Sequence, residues 1–309
     1  MKENQNKWLD IIKEFTVPDI IKNNAVVALA KGIGNIITSA SNIPTSYFNS
    51  IANEISAKSQ AKIKMMEAAS VEASKLFATE SDLANRALGY FGNKIIQNQV
   101  NRESVAAKTI SNLQQIKING NENHIEIDID WLTMFWDLAE IKSKDDVQDI
   151  LSKILTKEIV KPHSISPHTL QLLTVLTSDL GNSFKRLCNL STDDGERCFV
   201  IHPKVFAFQN IGPLSDFSVS YEDLFDLDGA GLLRSAETLM LNYGESEFED
   251  IDIAGTNARL NVSGQQLHLI QFTKAGRELR NLLTLSLNSE YKQAIKEKLK
   301  DAIIFSEKI

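Results

Sequence analysis

The chain has 309 residues, of which 43% are hydrophobic and 24% are charged, and its net charge at pH 7 is −7. This length and composition are those of a globular protein of about two domains, and they exclude a wholly disordered chain. The sequence contains neither a signal-peptide apolar region nor 18 uninterrupted apolar residues, so we expect a cytoplasmic protein.

The charge is divided unequally along the chain. Residues 1–120 carry 14 Lys plus Arg and 10 Asp plus Glu, a net charge of +4, which leaves −11 for residues 121–309. No acidic residue occurs between Asp19 and Glu54, although Lys22 and Lys31 do. The sequence therefore predicts a front half that tolerates a negative surface and a rear half that repels one.

The N-terminal arm contains an amphipathic helical pattern after an opening helix at about Gln5 to Phe15. Its apolar positions recur with the helical period beside a face of small and polar residues, and the candidate arm residues are Val26, Leu29, Lys31, Ile33, Ile36 and Ile37. Two interpretations are open. The stripe packs on other helices of this chain or on a second copy, or it lies at the surface of the inner membrane as a peripheral contact.

Two long helices are predicted next, at about Ser46 to Ala78 and at Ser81 to Ile116. Long helices with a narrow apolar seam often pair with each other or with a second copy, so we expect a homo-oligomer. The polar break at Asn119 to Asn123 predicts a domain boundary. We therefore expect a helical arm and hairpin in residues 1–120 and a second domain in residues 121–309.

The second domain is predicted to begin with packed helices and to end in a winged-helix-like unit. Helices are expected from Asp130 as a possible N-cap, from Ser143, and from Ser166 with Pro167. After short strands from Arg197, the helix Tyr221 to Ala230 ends at Gly231.

Three strands are then expected to form a wing, with a tight turn at Ser263 and Gly264, before a single last helix from Thr273 to about Glu297. The predicted fold class is mostly α with a small β component.

Several residues between Asp130 and Leu190 form a pattern that resembles the bacterial family DUF2806, a domain of unknown function. The pattern couples an Asp-Trp-Leu helix start, a Leu-x-x-Glu-Ile ending, a proline and a Ser-x-x-Thr-Leu start of the next helix. The matching positions that we single out are Asp130, Trp131, Phe135, Glu158, Pro162, Ser166, Thr169 and Leu170. The segment from about Lys31 to Ala69 also resembles this family.

The arrangement of arm, helical middle and C-terminal wing is similar to that of the Abi-alpha abortive-infection proteins of bacteria. This similarity implies, by analogy of layout, a part in antiviral defence against phage.

No sequence motif points to catalysis. The phosphate-binding, dinucleotide-binding, zinc-protease and serine-hydrolase motifs are absent, and we expect no catalytic residue, no cofactor and no metal. The acidic residues around Trp131 are attributed to helix capping, although a divalent cation is a weaker alternative. Cys188 and Cys198 are interpreted as reduced thiols because their spacing to His202 fits no zinc template.

These observations favour a non-enzymatic, self-associating component of anti-phage defence, with a partner-binding C-terminal domain and an N-terminal effector or oligomerisation arm. A protein partner is expected for the C-terminal domain. A winged-helix DNA-binding regulator is the first alternative, although Glu222, Asp223, Asp226 and Asp228 on one helix would repel phosphate, so nucleic acid is not the expected partner. An unrecognised metal-dependent enzyme is the second alternative.

Overall fold

The computed structural model describes residues 12, 17–33, 81–116, 125–203, 214–240, 248–261 and 267–306. They fall into two compact units, Met1–Ile165 and Ser166–Ile309. The predicted class is confirmed, since helices predominate and the strands form one antiparallel sheet. Within the described residues no helix is long and apolar enough to cross a membrane.

The first unit is built from four described helices, α1 (Asp19–Ile33), α2 (Ser81–Gln115), α3 (Ile129–Ala139) and α4 (Asp145–Val160). Helix α1 contacts the other three, and the C-terminal part of α2 packs along α4. The N-cap of α3 is Asp128 and not Asp130, because the Asp128 side chain accepts hydrogen bonds from the backbone N–H groups of Asp130 and Trp131.

Helix α1 is a core helix and not an exposed arm. Val26 and Leu29, two of the predicted arm residues, are 3% and 0% exposed, and Ala25, Val27, Ala28 and Ala30 between and beside them are also buried. A helix that is apolar on all sides lies in a core, whereas a membrane-surface helix keeps one polar face in water. Val26 and Leu29 therefore pack on other helices of this chain, which was the first of the two interpretations.

The remaining arm residues have different outcomes. Lys31 and Ile33 are partly exposed at the C-terminal end of α1. Ile36 and Ile37 lie outside the described residues, as does the helix predicted at Ser46 to Ala78.

A buried asparagine joins α1 to two other segments of the first unit. The Asn24 amide donates to the carbonyls of Ile125 (3.1 Å) and Ile159 (3.3 Å), and its oxygen accepts from the Ile127 N–H (3.2 Å). Asn24 is only 2% exposed, so all of these partners replace water that the side chain has lost.

The division between the two units differs from the predicted one. The polar break at Asn119 to Asn123 lies outside the described residues. Val105, Ile110 and Leu113 of α2 are buried in the same unit as α3 and α4, so these helices share one core. The units consequently divide between Ile165 and Ser166 and not at residue 120.

The second unit places helices around a seven-stranded antiparallel sheet. The helices are α5 (Pro167–Val175), α6 (Ser178–Cys188), α7 (Tyr221–Gly229), α8 (Lys274–Arg280) and α9 (Ser289–Leu299). The strands are β1 (Ser191–Asp193), β2 (Cys198–Ile201), β3 (Leu233–Met240), β4 (Glu249–Ile253), β5 (Thr256–Leu260), β6 (His268–Phe272) and β7 (Ile303–Phe305). Their order in the sheet is β3-β6-β2-β1-β4-β5-β7.

The predicted wing hairpin is wrong. Strand β5 pairs with β4 and β7, whereas β6 pairs with β3 and β2, so β5 and β6 are not neighbours. The expected turn at Ser263 and Gly264 lies outside the described residues. The left-handed residues Ala254 (φ 46°) and Gly255 (φ 81°) instead close a tight β4–β5 hairpin, which takes β5 away from β6.

Two predicted continuous helices are each interrupted. The helix expected from Ser166 to beyond Leu187 divides into α5 and α6, because Leu176 is extended and the Thr177 side chain accepts from the Leu180 N–H as a new N-cap. The last helix divides into α8 and α9, where the Asn288 side chain caps α9. Each break is marked by a side chain that competes for backbone donors.

Substitution of Gly32 by Ala tests the packing of α1. A Cβ at this position would lie 2.2 Å from the Trp136 indole carbons, and this indole is held by its Nε1 donating to the Ala28 carbonyl at 2.9 Å. We expect Gly32→Ala to lower the free energy of unfolding by about 1–3 kcal/mol. Urea unfolding followed by tryptophan fluorescence measures it. Gly89→Ala in α2, where a Cβ would meet nothing, is the control and should be neutral or slightly stabilising.

Candidate functional site

A cavity of about 490 Å³ lies between α6 and α7 in the second unit. Both helix starts contribute to it, since Thr177 caps α6 and Ser220 caps α7. The lining is predominantly acidic and hydroxylic, and consists of Thr177, Asp179, Leu180, Ser183, Ser220, Glu222, Asp223 and Asp226. We refer to this cavity as the acidic cleft.

Asp223 is the fixed acidic group of the acidic cleft. Its carboxylate accepts from the Ser220 N–H (2.8 Å) and hydroxyl (2.9 Å), from the Ser183 hydroxyl, and from Arg186 (2.9 Å). Burial acts to raise the pKa of Asp223, but these hydrogen bonds and the Arg186 charge outweigh it and lower the pKa to about 2. Asp223 is therefore an ionised structural element that holds α7 against α6.

The other carboxylates of the acidic cleft are open to solvent. Asp179, Glu222 and Asp226 are exposed, and no side chain in the described part of the chain forms an ion pair with them. Within the same residues no group of three or more His, Cys, Asp or Glu side chains has the arrangement of a metal site. Uncompensated negative charge in a concave surface attracts cationic groups and repels phosphate.

An exposed aromatic pair lies on the same helix as two of these carboxylates. Tyr221 and Phe225 of α7 are 44% and 57% exposed, and their rings meet edge to face with centroids 4.6 Å apart. Tyr221 and Phe225 are one turn apart on α7. Glu222 directly follows Tyr221 and Asp226 directly follows Phe225, so the aromatic face of α7 adjoins its acidic face. Lysine and arginine side chains bind such surfaces through charge and through the ring faces.

Three arginines of the second unit, Arg259, Arg277 and Arg280, are engaged in internal ion pairs. Arg277 binds Asp193 with two nitrogens, at 3.0 and 2.8 Å, and donates to the Gly195 and Glu196 carbonyls. Its pKa is raised chiefly by the Asp193 hydrogen bond. Arg277 thereby fastens the turn between β1 and β2 to α8.

Arg280 and Arg259 are paired as well. The Arg280 side chain is 6% exposed, donates to the Ser191 hydroxyl (2.9 Å) and pairs with Asp252. Arg259 pairs with Asp250 at 3.4 Å. Arg280 joins α8 to β1 and β4, and Arg259 joins β5 to β4, so both cations serve the fold of the second unit.

The buried residues among the singled-out pattern positions are structural. In the first unit, Trp131 and Phe135 are buried and stack with centroids 5.4 Å apart, and the Trp131 indole donates to the Ile165 carbonyl at 2.9 Å. Asp130, by contrast, is exposed in the first turn of α3, and Pro162 is partly exposed after α4.

Glu158 holds the turn that follows α4. It is fully buried, and its carboxylate accepts from the His163 N–H (2.6 Å), the Ser164 N–H and hydroxyl (3.1 Å each) and the Ile165 N–H (3.0 Å). His163 has a left-handed backbone (φ 65°), which this carboxylate stabilises. Burial raises the pKa of Glu158, while the three hydrogen-bonding residues act against that shift.

A second buried carboxylate, Glu278 of α8, organises the start of α5 within the second unit. Glu278 accepts from the Ser166 N–H (2.7 Å), the Ser166 hydroxyl (3.1 Å) and the Thr169 hydroxyl (2.5 Å). Ser166 is also the N-cap of α5, and Leu170 is buried one turn later. The sequence analysis did not identify Glu278, because it lies more than 100 residues from Ser166 in the chain. Its position near a predicted helix start was the only local signal for it.

Both cysteines are buried and form no disulfide, as predicted for reduced thiols. Burial raises the pKa of Cys188 well above its ordinary value and that of Cys198 to about 12. Neither thiol is therefore a nucleophile at neutral pH.

Comparison with known proteins identifies the family. The model of DUF2806, described as a protein of unknown function, matches residues 85–296. The chain belongs to this family. No curated protein and no solved structure matches the chain. The resemblance to DUF2806 is thus confirmed for Asp130 to Leu190, whereas the matched range does not include Lys31 to Ala69.

For this DUF2806 member, the buried pattern residues maintain two helix connections and do not gather into a chemical site. The acidic cleft also lies within the matched range. Its carboxylates were interpreted from the sequence only as groups that repel phosphate, because the cleft exists only when α6 and α7 pack together. The aromatic pair was missed, although its spacing of four residues was visible.

Replacing Glu158 by Ala should destabilise this DUF2806 protein. The change removes the acceptor for several partly buried donors, and we expect a loss of roughly 2–4 kcal/mol in the free energy of unfolding. Lys153→Ala, an exposed change on the same helix, should cost less than about 0.5 kcal/mol. Urea unfolding followed by tryptophan fluorescence compares them. Equal stabilities would contradict the assigned role of Glu158.

Replacing Asp223 by Asn should lower stability in a pH-dependent way. At pH 7 we expect a loss of about 1–2 kcal/mol, because the capping box loses its charged acceptor. Since folding lowers the pKa of Asp223 from 3.8 to about 2, its stabilisation is complete above pH 3.8 and is lost as the pH falls towards 2. The stability difference from wild type should therefore shrink across that window in urea unfolding curves. Asp226→Asn is the control, and a loss as large as that of Asp223→Asn would refute the assignment.

Proposed function

We propose that this protein is a non-enzymatic, self-associating component of bacterial anti-phage defence, whose C-terminal unit binds a basic segment of a protein partner. The observation that carries the partner-binding role is the acidic cleft with its adjoining aromatic pair. The defence role rests on the similarity of sequence layout to Abi-alpha proteins described above, and of that layout the structure retains the helical middle but neither an exposed α1 nor the wing hairpin.

The chemistry of the acidic cleft supports a cationic protein ligand. Asp179, Glu222 and Asp226 provide negative charge without an ion-pair partner among the described residues, and Tyr221 and Phe225 provide exposed ring faces. Aromatic residues are enriched in protein interfaces, where they contribute a large share of the binding energy. A peptide with Lys or Arg side chains satisfies both components.

The charge distribution also supports a protein partner over nucleic acid. Duplex binding requires cations that are free to neutralise phosphates. In the second unit Arg277 and Arg280 are paired with Asp193 and Asp252, and α7 exposes the carboxylates of Glu222 and Asp226. Neither arginine is therefore free to neutralise phosphate, and the exposed carboxylates of α7 would repel it.

The effector role assigned to the N-terminal arm is not retained. Val26 and Leu29 contribute to the core of the first unit, so a charged residue there would unfold the unit without informing on an effector. Self-association is instead expected to use exposed parts of the chain.

Phage plating on cells that express the protein tests the function. We expect wild type to reduce plaque formation by a panel of phages, and the double substitution Glu222→Lys with Asp226→Lys to restore it by at least about tenfold, because the acidic cleft would then repel a basic partner. The matched control is Glu290→Lys with Glu297→Lys, an equal charge reversal at exposed positions of α9.

The outcomes separate the two parts of the proposal. Absence of protection by wild type against every phage of the panel would refute the defence role. Protection that is lost equally in the α7 and α9 variants, or in neither, would refute the acidic cleft as the partner site.

A further inference from the structure

The N-terminal part of α2 exposes an unusual amount of apolar surface. Between Leu83 and Val100 the exposed fractions are 55% for Leu83, 71% for Tyr90, 54% for Phe91, 47% for Ile95, 64% for Ile96 and 53% for Val100. The C-terminal part of the same helix buries Val105, Ile110 and Leu113 almost completely. One continuous helix therefore has a packed end and an unpacked end, and we call the six exposed residues the α2 surface.

The area of the α2 surface is in the range of a protein interface. Together the six side chains expose on the order of 600 Å², which is the upper end of the largest apolar patch on a typical monomer. A standard stable interface buries about 800 Å² on each partner. If all six side chains of each copy were covered, pairing would bury on the order of 1,200 Å² in total, which is the lower end of the range for a stable interface.

The distribution of the α2 surface around the helix favours another helix over a lipid surface. At about 100° per residue, Tyr90 and Ile96 point about 120° apart around the helix axis, so apolar side chains occupy more than one side of α2. A membrane-surface helix has a single apolar face and a basic polar face, whereas this stretch carries only Arg86 and Lys94. Because the stretch carries so few charges, electrostatic repulsion between two identical copies is small.

We infer that the α2 surface is the interface through which two or more copies of this chain associate. The inference rests on the proposed self-association and specifies where it occurs. Ring and branched aliphatic side chains of one copy would pack into those of the other.

The molar mass of the full-length chain in solution, measured by light scattering over a wide range of concentration, tests this interface. We expect wild type to have the mass of an oligomer. Tyr90→Glu with Ile96→Glu should weaken association by at least about tenfold, because each change buries an unpaired charge at the interface. Asn93→Glu with Asn98→Glu adds the same charge to the same stretch at polar positions and should retain the wild-type mass.

Further measurements distinguish the possible failures. Tryptophan fluorescence of Trp131 and Trp136 reports whether the variants keep the first unit folded, and Ile96→Cys, which should cross-link copies under oxidation, gives a result that does not depend on the Glu variants. A monomeric wild type would overturn self-association itself, whereas an oligomer unaffected by Tyr90→Glu with Ile96→Glu would overturn only the α2 surface. Monomers that bind vesicles of anionic lipid would assign the surface to a membrane instead.

Discussion

Buried polar side chains that satisfy backbone groups of distant segments are the interaction on which this structure depends. Asn24, Glu158 and Glu278 are each nearly inaccessible to water, and each forms several hydrogen bonds with backbone or hydroxyl groups of a helix connection. An unpartnered polar group in such a place would cost several kcal/mol, so the side chain and the connection require each other. The helices are thereby fixed at their ends as well as along their apolar faces.

This role explains the pattern that marks the DUF2806 family in this chain. Glu158 is one of two buried carboxylates, and Ser166 and Thr169 donate hydrogen bonds to the other, Glu278. Trp131 and Phe135 are buried in the first unit, and Leu170 is buried in the second. A carboxylate that accepts three or four hydrogen bonds within its own unit has little capacity left for a substrate. The family pattern is therefore a description of how the helices connect.

Charge is used in two different ways in the second unit. Arg277 and Arg280 form ion pairs with Asp193 and Asp252, which connect α8 to the sheet. Arg186 forms an ion pair with Asp223, which connects α6 to α7. Paired in this manner, the basic residues leave the carboxylates of the acidic cleft as the outward electrostatic feature of α7. The binding of a cationic partner and the exclusion of phosphate that we propose would both depend on these carboxylates.

Sequence alone determined the class of the fold and the character of its helices. Periodic apolar positions and helix-start residues such as Ser166 and Pro167 predicted the existence of most described helices, because these signals are local. The pattern around Trp131 and Glu158 indicated the family. The acidic character of α7 was visible because four of its nine residues are Asp or Glu.

Tertiary structure decided everything that depends on residues far apart in the chain. The apolar stripe of α1 has the same spacing whether it faces lipid or a core, and only its contacts with α2, α3 and α4 assign it to the core. Strand β5 has the distant β7, and not β6, as its second neighbour in the sheet, and the partner of Thr169 is a glutamate more than 100 residues away. Local propensity carries no information about such partners, since burial and pairing are properties of the assembled chain.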